Sequence, residues 1–153
     1  MANLDEIYNT RILELAGAIS RIGRLADPDG TATAHSKLCG STITVDLKLR
    51  DGRVSDFGQS VKACLLGQAA ASVMAREIVG STPDELRRVG HTMRVMLKEG
   101  GPPPTGRWAD LAVLEPVRNY KARQASTLLV FDAVEKALED AAAQTAADVQ
   151  AVR

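Results

Sequence analysis

Residues 43–49 alternate apolar and polar side chains (Ile43-Thr44-Val45-Asp46-Leu47-Lys48-Leu49), the pattern of a strand with one buried face. Arg50-Asp51-Gly52-Arg53 follows, and Asp-Gly between two such runs specifies a tight hairpin turn. Residues 54–63 read as the return strand, with Phe57 and Val61 directed to a core. A hairpin with one apolar face is marginal in water, so helices elsewhere must cover it. A further strand before Cys39, in the short and mixed stretch 31–38, brings the expected sheet to three strands.

The rest of the chain supplies those helices. Leu4, Ile7, Tyr8, Ile12, Leu15 and Ile19 recur at three- and four-residue spacings, which predicts an amphipathic helix over 4–21 capped by Asn3 or Asp5. Residues 65–79 are rich in Ala, Leu and Met, and Gly80 suits the position just past a helix end. Thr82-Pro83-Asp84-Glu85 is a capping box with Pro in the first turn. The helix it opens is stopped by Gly100-Gly101-Pro102-Pro103-Pro104. Trp108, Leu111 and Leu114 predict a short helix. A last helix begins near Ser126-Thr127, with Leu128, Phe131, Val134 and Leu138 facing inward. Met93 and Met96 read as core. Helix, hairpin, then several helices make an α+β domain: a small antiparallel three-stranded sheet with helices on one side.

The 153 residues amount to one domain, with residues 140–153 expected to fray into a tail. Nineteen Lys and Arg balance nineteen Asp and Glu, and aromatics are 3% of the chain. Neither a basic field nor stacking platforms are present, so nucleic acid is not an expected partner. No apolar run approaches the roughly 18 residues of a membrane span. The first residues, Met1-Ala2-Asn3-Leu4-Asp5-Glu6, are acidic where a signal peptide is basic, so a cytoplasmic location is expected.

Two cysteines do not make a disulfide scaffold. Cys39 precedes the first clear strand and is followed by Gly40. Cys64 lies where the hairpin meets the next helix, a position whose unpaired N–H groups favour thiolate. A hairpin returns the chain to its origin, so the two thiols can share a site. Two separate buried thiols are the equally open alternative.

Several residues resemble a known family in order and spacing. Tyr8-Asn9, Arg11-Ile12-Leu13-Glu14, Cys39-Gly40, the hairpin and Cys64 are similar to the NifU N-terminal-like iron–sulfur scaffold family, with its IscU and SufU branches. Residues 117–134 resemble the stretch that bears the family's third cysteine. The insertion between Cys64 and that stretch, with its proline loop, is similar to the SufU branch. The resemblance implies the SufE/NifU-like fold and a role in iron–sulfur cluster assembly. It implies that an iron–sulfur cluster, iron or zinc is held by three cysteines and an aspartate, with sulfur received from a cysteine desulfurase and cargo passed to acceptor apoproteins. By that pattern Cys39 and Cys64 are cofactor- and metal-binding positions. Ser41 stands where the family has Asp, Ser126 where it has the third Cys, and Ala125 where the IscU branch has His. Arg123 matches the SufU-like pattern as a site-lining residue.

A neutral hydroxyl is a poor zinc ligand, so Cys39 and Cys64 supply two donors and His35 is the nearby candidate for a third. Two chains sharing one cluster across a homodimer would complete four. A transient Cys39–Cys64 disulfide also stays open. Two alternatives accompany the scaffold reading: a sulfurtransferase carrying persulfide on a thiol, and an interaction module that has lost its site. Ser126 reads as a helix N-cap. His91, on the second insertion helix, reads as solvated. Arg118, Lys121 and Arg123 read as a solvated face, or as a dock for an acidic partner.

Overall fold

Asn9 has extended backbone angles, and its side chain accepts the Ile12 N–H at 3.0 Å, which opens helix α1, Thr10–Gly17. The protein is described by a computed structural model covering residue 5 and residues 7–151. Helix α1 is much shorter than the predicted 4–21. Asn9, not Asp5, caps it; the alternative cap, Asn3, lies outside the described residues. The helix stops early because the chain beyond it pairs with a strand. The Gly23 N–H donates to Gln59 O at 2.8 Å, and the Gln59 N–H donates to Arg21 O at 3.0 Å. This segment covers part of an edge strand that would otherwise expose its backbone groups.

The sheet has strands β1 (Gly30–His35), β2 (Thr42–Arg50) and β3 (Arg53–Lys62), antiparallel in the order β1-β2-β3. Asp51 and Gly52 both have positive φ, 53° and 76°, as a two-residue hairpin turn requires. Ile43, Val45 and Leu47 of β2 are buried with Val54 and Phe57 of β3. On the opposite face, Thr33 and Thr44 share a hydroxyl hydrogen bond of 2.8 Å across β1 and β2. The stretch 31–38, short as it is, therefore yields the third strand.

Helix α2, Leu65–Glu77, is buried on nearly every side, which its run of alanines permits. Helix α3, Pro83–Glu99, begins at the predicted capping box, with Thr82 Oγ1 accepting the Glu85 N–H at 3.1 Å. It ends at Gly100, left-handed at φ 72°. Met93 and Met96 lie in the core. Residues Gly106–Asn119 form a 3-10 helix rather than an α-helix. Trp108, Leu111, Leu114 and Val117 are all buried, and their three-residue spacing is the 3-10 repeat itself.

Helix α4 spans Lys121–Ala151. It starts before the predicted Ser126, which corrects the capping role read for that residue: Ser126 lies inside the helix and is buried. Residues 140–151 continue the helix, while residues 152–153 lie outside the described residues. Gly30 lets α4 pack directly on β1, since a Cβ there would collide with the Ala137 carbonyl. Arg94 ties α3 to α4 through Asp132 and Glu135, each at 2.7 Å. The architecture is the expected α+β arrangement.

Candidate functional site

Strand pairing brings the two cysteines to one end of the sheet. Thr42 and Lys62 are register partners. The turn before Thr42 carries Cys39 and Ser41, and the chain just after Lys62 carries Cys64. The turn closes through Ser36 N–H to Ser41 O and Gly40 N–H to Ser36 O, both 2.9 Å. Gly40 takes the left-handed conformation, φ 73°, that this closure needs. Cys64 is the N-cap residue of α2 but makes no side-chain capping hydrogen bond. Helix α4 then brings Ser126 across from the far side.

The result is a chain of four side chains, Cys39, Ser41, Ser126 and Cys64, with Ser36 as a branch on Cys39. Cys39 Sγ lies 3.0 Å from Ser41 Oγ and 3.4 Å from Ser36 Oγ. Ser41 Oγ is 3.1 Å from Ser126 Oγ, and Ser126 Oγ is 3.2 Å from Cys64 Sγ. Both cysteines are free; Cys39 is exposed and Cys64 half-buried. The hydroxyls of Ser36 and then Ser41 lower the Cys39 thiol pKa to about 7, with Ser126 adding a smaller contribution and partial burial opposing them. The Cys39 thiol is the donor towards these hydroxyls; once it ionises, the hydroxyls turn to donate to the sulfur and favour the charged form, so about half of Cys39 is thiolate near pH 7. A thiolate, not a thiol, is the nucleophile and the metal ligand.

A pocket of about 370 Å³ opens over the sulfurs, lined by Tyr8, Leu38, Cys39, Cys64, Ala122, Arg123 and Ser126. Arg123 Nε donates to Tyr8 Oη at 2.9 Å, and its guanidinium lies 5.7 Å from the Tyr8 ring centroid and 6.0 Å from that of Tyr120. Those contacts hold a cation beside the thiols. Leu38, 80% exposed, stands beside Cys39 on the pocket rim. Gly67 sets the closeness of α2 to α4: a Cβ there would lie 2.8 Å from Ala63 Cβ and 3.2 Å from Ser126 Oγ.

Cys39, Cys64, Ser41, Ser126 and Arg123 thus converge. His35 does not join them. It is exposed at the end of β1, with Nδ1 2.8 Å from Thr42 Oγ1. Among the described residues no three His, Cys, Asp or Glu side chains stand close enough to hold a metal ion. At the end of β1, His35 makes a cross-strand contact with Thr42. His91 is exposed on α3 beside a separate small cleft. Arg118 is ion-paired with Glu115 at 2.7 Å, while Lys121 is exposed. Ser36 was not legible as a site residue, although its spacing of three from Cys39 across a glycine-closed turn is a usable signal. Tyr8 was visible only within the family pattern, not as the partner of Arg123.

The fold and site define a small α+β domain with two thiols at one solvent-open pocket. Residues 7–127 match the NifU-like N terminal domain, and the chain belongs to that family. It is similar to the iron-sulfur cluster assembly scaffold protein IscU of Thermotoga maritima, with 27% identity over 87% of this chain and 93% of that protein. The crystal structure of a nitrogen-fixing NifU-like protein (N-terminal) from Brucella abortus is 62% identical. It covers 90% of this chain and 96% of its own, at a TM-score of 0.88. A candidate iron-sulfur cluster assembly scaffold protein for the SUF system from thermophilic Fervidobacterium islandicum AW-1 shares the fold at a TM-score of 0.79. It is 20% identical, covering 89% of this chain and 99% of that one.

Proposed function

We propose that this protein works in iron–sulfur cluster assembly by accepting sulfur at Cys39, with Cys64 as the second thiol of the site, and passing its cargo to acceptor apoproteins. The observation that carries the reading is the exposed Cys39 thiol, lowered to about pKa 7, in a pocket shared with Cys64. The relatives named as iron-sulfur cluster assembly scaffold proteins support the general role. A persulfide donor such as a cysteine desulfurase needs an accessible nucleophile at the acceptor, and Cys39 meets that requirement.

The donor set favours sulfur acceptance over stable metal storage by one chain. A closed zinc site takes four nitrogen or sulfur donors, and this pocket offers two thiols with two neutral hydroxyls. A cluster carried as cargo by Cys39 and Cys64 would need its remaining ligands from a second copy of the chain or from an acceptor. The chain acts as a single domain. No helix among the described residues is long and apolar enough to cross a membrane, and free thiols in this role suit a reducing compartment such as the cytoplasm.

The test is mass spectrometry of C64S, in which Cys39 is the remaining cysteine, after anaerobic incubation with a cysteine desulfurase and cysteine. One added sulfur atom on Cys39 is expected. Failure of Cys39 to gain sulfur in a folded C64S protein would remove the reading.

A further inference from the structure

The two thiols occupy different settings within one pocket. Cys39 is exposed on a surface turn beside Gly40, and Cys64 is half-buried at the start of α2. Both ride on chain leaving the same end of the Thr42–Lys62 pair. The Ser126 hydroxyl, 3.2 Å from Cys64 Sγ, reaches Cys39 through the Ser41 hydroxyl. The three segments that build the site, 35–42, 61–68 and 120–127, contain Lys37, Lys62, Lys121 and Arg123 and not one Asp or Glu. In a chain whose charges balance overall, that local asymmetry favours anions at the pocket.

We propose that Cys64 resolves a persulfide carried on Cys39, forming the Cys39–Cys64 disulfide and expelling the terminal sulfur as hydrosulfide. The step rests on sulfur acceptance at Cys39 and adds the route by which that sulfur leaves. Cys64 attacks the inner sulfur of the persulfide. The sulfur–sulfur bond of the persulfide breaks and the bond between the two cysteines forms, as in ordinary thiol–disulfide exchange. The Cys64 sulfur is oxidised, the terminal sulfur is reduced, and the inner sulfur keeps its oxidation state. Starting from a persulfide anion and the Cys64 thiol, the thiol proton crosses the Ser126 hydroxyl to the departing sulfur. One negative charge is present before and after. Arg123, held over the pocket by Tyr8, stabilises the hydrosulfide as it forms. A dithiol reductant then reopens the disulfide.

Ser41 and Ser126 fit this chemistry better than they fit metal binding. As hydroxyls they join the sulfurs without drawing a cation tightly between them, which leaves the two thiols able to react with each other.

The wild-type protein and C64S, both reduced, would be loaded by a cysteine desulfurase and cysteine and then desalted anaerobically. Sulfide release and the linkage of the Cys39 and Cys64 peptides would then be followed. In the wild type we expect about one sulfide per chain and a disulfide joining the two peptides. In C64S the added sulfur should remain on Cys39, with release slowed by at least about tenfold. A wild-type protein that keeps its sulfur on Cys39 as long as C64S does, with no disulfide, overturns the resolving role and leaves sulfur acceptance standing. A C64S protein that gains no sulfur, while retaining the wild-type circular dichroism spectrum, overturns the acceptor reading and this step with it. The wild-type sulfide and disulfide measurement decides the resolving role even if the variant fails to fold.

Discussion

The Ser126 hydroxyl stands 3.2 Å from the sulfur of Cys64, a residue 62 positions earlier in the chain. Ser126 is buried inside α4, and Cys64 begins α2, so the contact links the two helices at the floor of the pocket. Through Ser41 it continues to Cys39. Its chemistry decides what the pocket can hold.

Exchanging the hydroxyls for anionic donors should convert the site. S126C together with S41D presents three thiols and a carboxylate at positions now spaced 3.0 to 3.2 Å apart. We expect zinc affinity to rise by more than about a hundredfold over wild type. Competition with a chromogenic chelator measures it, and unchanged affinity would show that the backbone cannot assemble a four-donor site here.

The Cys39 thiol should react with iodoacetamide along a pH curve centred near 7. Below that pH the thiol is protonated and slow; above it the thiolate dominates. Ser36 and Ser41 hydroxyls favour the thiolate, so S36A with S41A moves the inflection upward, towards the ordinary thiol value. The alkylation rate at neutral pH should then fall by about three- to tenfold. An unmoved curve would mean that the hydroxyls do not set the ionisation.

Close packing at Gly67 offers a structural test of the same floor. An added methyl meets Ala63 Cβ at 2.8 Å and the Ser126 carbonyl at 3.1 Å. G67A should destabilise the fold by about 1–3 kcal/mol, read from urea denaturation. It should also raise the Cys64 alkylation rate as α2 and α4 separate. Stability equal to wild type would show that the helices yield at no cost.

The hairpin pattern of residues 43–63 made a shared site for the two thiols one of two open readings, because it fixes which chain ends meet. The capping box at Thr82 and the stop at Gly100 were plain, since both depend on local chemistry. What escaped was decided by distant partners. Helix α1 ends early because residues 21–23 pair with Gln59, and nothing local announces that pairing. Ser126 looked like a cap because Ser-Thr before an apolar stripe is a cap pattern, but α4 begins at Lys121 and turns that serine into the pocket. Trp108, Leu111 and Leu114 were rightly read as helical, yet their spacing of three describes the tighter 3-10 form.

Asp46 shows the same dependence on distant partners. Its side chain is fully buried although it lies on the polar face of β2, and it accepts from Arg24 Nε at 2.6 Å and from the Leu25 N–H at 3.1 Å. Burial opposes its charge, but Arg24, Thr31 and the Leu25 N–H together hold its carboxyl below the usual range. A carboxylate depressed in the folded state stabilises above its unfolded pKa, and that contribution fades as pH falls through the lower folded value. D46A should therefore cost about 2–3 kcal/mol at neutral pH, with the gap from wild type narrowing in strong acid. Urea titrations at several pH values check this, and a gap constant with pH would contradict it.

The most direct test of the shared site uses a trivalent arsenical, which bridges two thiols only when both sulfurs reach one atom. Phenylarsine oxide should bind the reduced wild-type protein at one equivalent per chain and block both Cys39 and Cys64 from later alkylation. C39S and C64S should each lose that tight binding. If the arsenical leaves the wild-type cysteines independently alkylatable, Cys39 and Cys64 do not act as a pair.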